Sequence, residues 1–244
     1  MTVAPTSVQP GREPHRARWV LVTILAFLLG GLAVALLYRF DVLGGSSGST
    51  ATEGSGVAAT QVRDVAAFSG VELAGSNNVV IRVGGKQSVV VRADDNLLGH
   101  VTTEVQSGTL VIGNTPGSFT TKSPMSVAVD VPTLNGLTLS GSGNIVVEGI
   151  DAESLTVALP GSGTLTGSGT ATRLDGTVSG SGLVRFTQLV ASDVRALVSG
   201  SGSIFVTATT SLDASVSGSG AVIYAGSPQN VTKSVTGSGA ITGG

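Results

Sequence analysis

The sequence predicts an all-β protein: a parallel β-solenoid built of coils of about nineteen residues and preceded by one transmembrane helix. Three observations predict it. A Gly-Ser-Gly tripeptide recurs at intervals of 18–20 residues, aliphatic residues stand at fixed even offsets around each copy, and one uncharged apolar run of twenty residues lies near the N-terminus. In chain order this gives a cytoplasmic segment over residues 1–18, a transmembrane helix over 19–38, a flexible linker over 39–56 and an exported solenoid over 57–244. Within the solenoid, 57–133 read as irregular first coils and 134–244 as the Gly-Ser-Gly repeats.

The apolar run extends from Trp19 to Tyr38 without a charge. As a helix it is about 30 Å long, the thickness of a bilayer's hydrocarbon core. Trp19 and Tyr38 mark its two ends, where amphipathic rings favour the headgroup level. Arg12, Arg16 and Arg18 precede it, opposed only by Glu13, whereas Arg39 after it is followed at once by Asp41. That excess of arginine predicts a cytoplasmic N-terminus and an exported bulk. A cleaved signal peptide would be shorter and would end in a small-x-small site, but Tyr38-Arg39-Phe40 follows instead. The Ala26-x3-Gly30 and Gly31-x3-Ala35 spacings would let two such helices approach closely. From Gly44 to Gly56 the composition is that of a flexible spacer.

The repeat is the strongest signal. Gly-Ser-Gly begins at Gly141, Gly161, Gly180, Gly200, Gly218 and Gly237. Two residues before it stand Leu139, Leu159, Val178, Val198, Val216 and Val235; two after it stand Ile145, Leu165, Val184, Ile204, Val222 and Ile241. Offsets of two on both sides of a Gly-rich corner are strand periodicity. No stretch between corners is long enough for a crossover helix. Short strands that coil and stack in parallel, with like residues in interior columns about 4.8 Å apart, satisfy the whole pattern. Glycine on either side of the serine then permits a turn at positive φ and close approach of neighbouring corners.

Upstream, Val79–Val83 and Ser88–Val91 flank Gly84-Gly85-Lys86-Gln87 and read as a strand pair with a short connection. Val101–Val105, Leu110–Ile112 and Ser126–Val131 alternate as strands, and Asp94-Asp95-Asn96-Leu97-Leu98 reads as a cap and one helical turn. These form irregular first coils or, alternatively, a separate small β domain.

Composition narrows the chemistry. Charged residues are 11%, aromatics 4%, the formal net charge is -2 and cysteine is absent. That leaves no basic footprint for nucleic acid, and neither disulfides nor thiolate sites. The tripeptides open no helix and lack the spacing of a phosphate cradle. No Gly-x-Ser-x-Gly elbow occurs, and His100 is the only histidine after the apolar run, a surface or cap residue rather than a base. The candidate carboxylates are Asp94 with Asp95, Asp151 with Glu153, and Asp175, Asp193 and Asp213. Asp175 and Asp213 hold the same place two coils apart, roughly 10 Å, too far to share one ion. Thr138, Thr156 and Thr177 do not form an unbroken threonine array. Asn230-Val231-Thr232 matches a glycosylation sequon, which has meaning only in a eukaryotic secretory pathway. The sequence therefore predicts no catalytic, cofactor-binding or metal-binding residues.

Arg63-Asp64-Val65-x3-Phe68-x2-Val71, Ala93-Asp94-Asp95-Asn96-Leu97-Leu98 and the Ser-Gly-Ser-Gly coils, with the closing Val231-Thr232-Lys233-Ser234-Val235-Thr236-Gly237, together resemble a bacterial family, the putative autotransporter adhesin head GIN domain. The resemblance runs from Val62 to Gly244. It implies an exported right-handed β-solenoid, often anchored in the envelope, and brings no catalytic residues. Pro160 departs from the Ser or Thr of other coils, and no translocator barrel accompanies the domain. The function expected is a non-catalytic adhesion or interaction module of the cell envelope. It would be held by a single membrane span, with an envelope polysaccharide or protein as partner and no cofactor. The alternative is a structural or sensory ectodomain coupled through the helix to a partner protein.

Overall fold

The computed structural model describes residues 51–244, within a compact unit spanning Ser49–Gly244. The helix predicted over 19–38 lies outside the described residues. Among those described, no helix is long and apolar enough to cross a membrane.

The described chain starts with β1 (Thr52–Glu53) and β2 (Ala58–Val62), then makes β3 (Gly70–Leu73), β4 (Asn78–Val83) and β5 (Ser88–Asp94). A 3-10 helix over Asp95–His100 leads into β6 (Val101–Gln106), β7 (Thr109–Asn114), β8 (Phe119–Thr120), β9 (Ser126–Val131) and β10 (Gly136–Leu139). Four long bent strands follow: β11 (Asn144–Leu159), β12 (Thr164–Val178), β13 (Leu183–Val198) and β14 (Ser203–Gly218). Last come β15 (Ala221–Ala225), β16 (Asn230–Gly237) and β17 (Ala240–Gly243).

From β10 onward every pairing between successive coils is parallel, and equivalent residues face one another. Ile145, Leu165, Val184, Ile204, Val222 and Ile241 form one column, and the first five are solvent-inaccessible or nearly so. Leu159, Val178, Val198, Val216 and Val235 form another. Each buried Val, Leu or Ile contributes about 1.5–3 kcal/mol. The columns are filled almost throughout by aliphatic side chains. Phe186 is admitted by the absence of a side chain below it, since a Cβ on Gly167 would lie 2.6 Å from its ring. Tyr224 and Gly243 repeat that pairing at the next aromatic, with a Cβ on Gly243 at 2.8 Å from the ring.

At the corners glycine is required mainly for close approach. A Cβ on Gly180 would sit 2.0 Å from the carbonyl oxygen of Gly161, and one on Gly200 would sit 2.3 Å from that of Gly180. Backbone N–H groups of one corner donate to carbonyls of the last, as Gly202 does to Gly180 at 3.1 Å and Gly220 to Gly200 at 3.1 Å. The expectation of positive φ is corrected here: of the corner glycines only Gly218 (159°) and Gly237 (113°) have it. Contact with the previous coil, not a left-handed turn, excludes a side chain.

The opposite bend absorbs differences in coil length. Registers slip between Val147 and Ile150, between Thr166 and Ser168, and between Phe186 and Val190. A further Gly-Ser-Gly, residues 167–169, falls at this bend rather than at a corner, with Gly169 at φ 132°.

The N-terminal part shares this sheet and this core, but spatial order departs from chain order. β3 lies between β7 and β10, and β4 lies between β9 and β11, so the first coil in sequence is the second in the stack. Gly75-Ser76-Asn77 serves as its corner, directly beneath Gly141 and Gly143. The strand pair expected of β4 and β5 does not form. β9 lies between them, parallel to β4 and antiparallel to β5, with Val127, Val129 and Val131 buried. Four residues, 84–87, are long enough to step over one intervening strand, and Gly84 at φ 101° starts the step. The hairpin β6–β7 turns at Ser107 (φ 50°) and Gly108 (φ 77°).

Candidate interaction surface

The serines at the centres of the corners, Ser142, Ser162, Ser181, Ser201, Ser219 and Ser238, are all exposed. They are the outermost groups of corners whose glycines lie against the coil beneath, so the serines must point away from the core. The residues two before them, Ser140, Pro160, Ser179, Ser199, Ser217 and Thr236, are exposed as well. Two neighbouring columns of hydroxyls, broken only at Pro160, therefore run along one edge at the coil spacing of about 4.8 Å. No residue of these two columns is charged, although at their N-terminal end Ser140 Oγ donates to Glu72 Oε1 at 2.8 Å. The next outward column, Thr138, Ala158, Thr177, Leu197, Ser215 and Ser234, is mixed, and Thr156 belongs to a different column with Asp175.

Beyond it the charges lie in strands. Asp175, Arg195 and Asp213 are stacked neighbours, as are Arg173, Asp193 and Ser211. Arg195 Nε is 4.0 Å from Asp213 Oδ2, and Ser211 Oγ donates to Asp193 Oδ1 at 2.6 Å. Arg195 thus occupies the place between the two aspartates that an ion would need. Asp151 pairs in register with Thr170, and Glu153 is exposed on the same coil. The carboxylates do not converge in one groove. Among the described residues no three carboxylate or imidazole groups are placed to hold a metal ion.

His100 is half-buried; its Nδ1 is 2.8 Å from Thr115 Oγ1 and its ring packs 5.6 Å from that of Phe119. Asp94 is not the helix cap that its position suggests, since its side chain makes no capping bond. It is solvent-inaccessible and turns the other way. Its Oδ2 accepts from the backbone N–H of Lys122 (2.8 Å) and Ser123 (3.2 Å), and its Oδ1 from that of Gly56 (3.1 Å). Burial alone would raise its pKa, but the hydrogen bonds from Lys122, Ser123 and Gly56 outweigh this and hold it below the ordinary aspartate value. Asn96 accepts from Ser55 N at 2.9 Å and donates to the carbonyl of Glu53 at 2.9 Å, while Asp95 accepts from Ser55 Oγ. Residues 52–56, read from composition as the tail of the linker, are thereby fastened to the domain, with β1 paired to β8. A Cβ on Gly54 would lie 2.1 Å from Asp94 Oδ2, so this Gly-Ser-Gly is a clasp, not a corner. Composition could not reveal it, because a clasp and a spacer draw on the same small residues.

Residues 67–228 match the family described as putative auto-transporter adhesin, head GIN domain. The chain belongs to this family. Its fold is also that of several solved structures. A putative adhesin from Bacteroides fragilis is 24% identical, with 78% of this chain and 99% of that chain aligned at a TM-score of 0.67. A putative adhesin from Parabacteroides distasonis is 22% identical, covering 80% of this chain and 100% of that one at 0.54. A putative lipid binding protein from the same organism is 22% identical, covering 80% and 100% at 0.52. No curated protein matches the chain significantly. The family and the adhesins among these neighbours are named for adhesion, not for catalysis. Each neighbour's crystallised chain is aligned almost in full.

Proposed function

We propose that this head GIN protein is a non-catalytic adhesion module of the cell envelope, anchored by the apolar segment 19–38 and displayed outside the membrane. Its binding surface is the uncharged edge of corner serines, and its partner a hydroxyl-rich envelope polymer such as a polysaccharide. One observation carries this reading. Hydroxyls recur along the edge with the period of the coils, and glycine lets successive corners lie in contact. A regular row of donors and acceptors suits a partner that is itself a repeating chain, because each extra coil adds the same contact. The charged columns, already paired among themselves, offer less to such a partner.

The test is co-sedimentation of residues 49–244 with isolated cell-wall polysaccharide and, separately, with intact cells. Saturable binding is expected. Replacing Ser162, Ser181 and Ser201 together by Ala should weaken it several-fold without changing the circular dichroism spectrum. Absence of binding to every envelope fraction, or full binding by the triple variant, would sink this reading.

A further inference from the structure

One interior column runs Val157, Gly176, Ala196, Ala214 and Lys233. Its earlier members are buried among aliphatic neighbours. Its last is a lysine, in the one coil where the flanking columns lie open. Val231 and Val235 continue the columns of Leu212 and Val216, which are 2% and 1% exposed, yet they are themselves 41% and 47% exposed. Among the described residues β16 pairs only with β14, and β17 only with β15, so both present a row of backbone N–H and C=O groups with no partner among them. An open strand edge beside exposed valines is a template for pairing with another chain. The lysine stem crosses this end, and Nζ lies 4.7 Å from the centroid of the Tyr224 ring.

We propose that Lys233, laid over Tyr224, is a built-in stop that keeps the C-terminal end of the solenoid from pairing with a second copy of the chain. The self-complementary approach is tail to tail, with β16 and β17 of two copies related by a two-fold axis. That approach would bring two Lys233 ammonium groups together inside a joined core. Neither finds a carboxylate there, because the interior columns supply only aliphatic and aromatic side chains. Burying an unpaired charge is strongly unfavourable. Inward-pointing charge is one of the devices by which sheet edges are kept from associating. On Tyr224 the ammonium retains both water and the ring face.

Sedimentation velocity and light scattering of residues 49–244 across a wide concentration range test this. The unaltered module stays at one chain mass. Lys233→Ala, which restores the residue of the two preceding coils, and Lys233→Val should double the mass as concentration rises. Lys233→Glu should remain at one chain mass, because any charge at this place acts alike. Adding Val235→Asp to the Lys233→Val variant puts charge back on the same end and should return it to one chain mass. The proposal is overturned if the unaltered module already pairs. It also fails if both neutral variants stay monomeric with an unchanged circular dichroism spectrum, or if the double variant still pairs.

Discussion

The corner coils from β10 onward and the N-terminal coils before them belong to one sheet and one core but are held by different means. In the corner coils the backbone does almost everything. Strands stack in parallel register, corner carbonyls accept from the next corner, and side chains meet the residue at the equivalent place of the next coil. In the N-terminal coils individual side chains hold particular backbone atoms. Asp94 and Asn96 fasten residues 53–56, Gln87 Nε2 donates to the carbonyls of Val65 and Ala66, and Arg63 Nη2 donates to the carbonyl of Leu98 at 2.7 Å. Specific side-chain hydrogen bonds are few in the corner coils, such as Thr207 Oγ1 donating to the carbonyl of Thr187 at 3.0 Å. Where the chain reverses direction and runs out of spatial order, as β5, β6 and β2 do, they return.

The sharpest way to break the comparison is at a corner. Gly180→Val places a side chain against the carbonyl of Gly161, 2.0 Å from where its Cβ must be. It should cost about 1–3 kcal/mol or more by overpacking, read as a lower urea midpoint. Ser181→Val, one residue on and exposed, should stay within about 0.5 kcal/mol. Equal effects of the two would contradict stacked corners.

In the N-terminal coils the corresponding test is Asp94→Asn. It sets an amide group among the N–H donors of Lys122, Ser123 and Gly56, and should lower Tm by several degrees and expose residues 52–56 to protease. The sign with pH follows from the depressed pKa. The stabilisation by Asp94 is complete above the ordinary aspartate value near 3.9 and is lost as pH falls through the lower folded-state value. Stability of the unaltered module should therefore decline more steeply below about pH 4 than that of the variant. Parallel curves would show that Asp94 does not carry the acid sensitivity.

A smaller effect than that of Gly180→Val is expected at the opposite bend. Deleting Gln188, where the register already slips, should change stability by roughly 0.5–1 kcal/mol. Deleting Ser181 instead would move a whole strand to the wrong face. If both deletions are tolerated alike, length is not absorbed where the register suggests.

This contrast also explains what could be read beforehand. The corner coils were legible because period-two offsets repeated around a marked tripeptide, and each repeat confirmed the last. One copy of the same tripeptide misled for the opposite reason: residues 54–56, outside the period, looked like spacer and are a clasp. The spatial order of β3, β4, β7 and β9 left no periodic trace, so a short loop implied a strand pair that β9 in fact separates. Lys233 was visible as a lysine, but its inward place follows only from its register with Ala214.

The exchange of size between Gly167 and Phe186 limits how such a molecule can grow. Copying β13 alone would set one Phe186 directly on another, with no missing side chain between them to make room. Copying β12 and β13 together would reproduce the small-above-large alternation at every new level. β12 and β13 are therefore gained or lost as a pair, whereas a copy of β14 sets Val206 on Val206 and needs no companion.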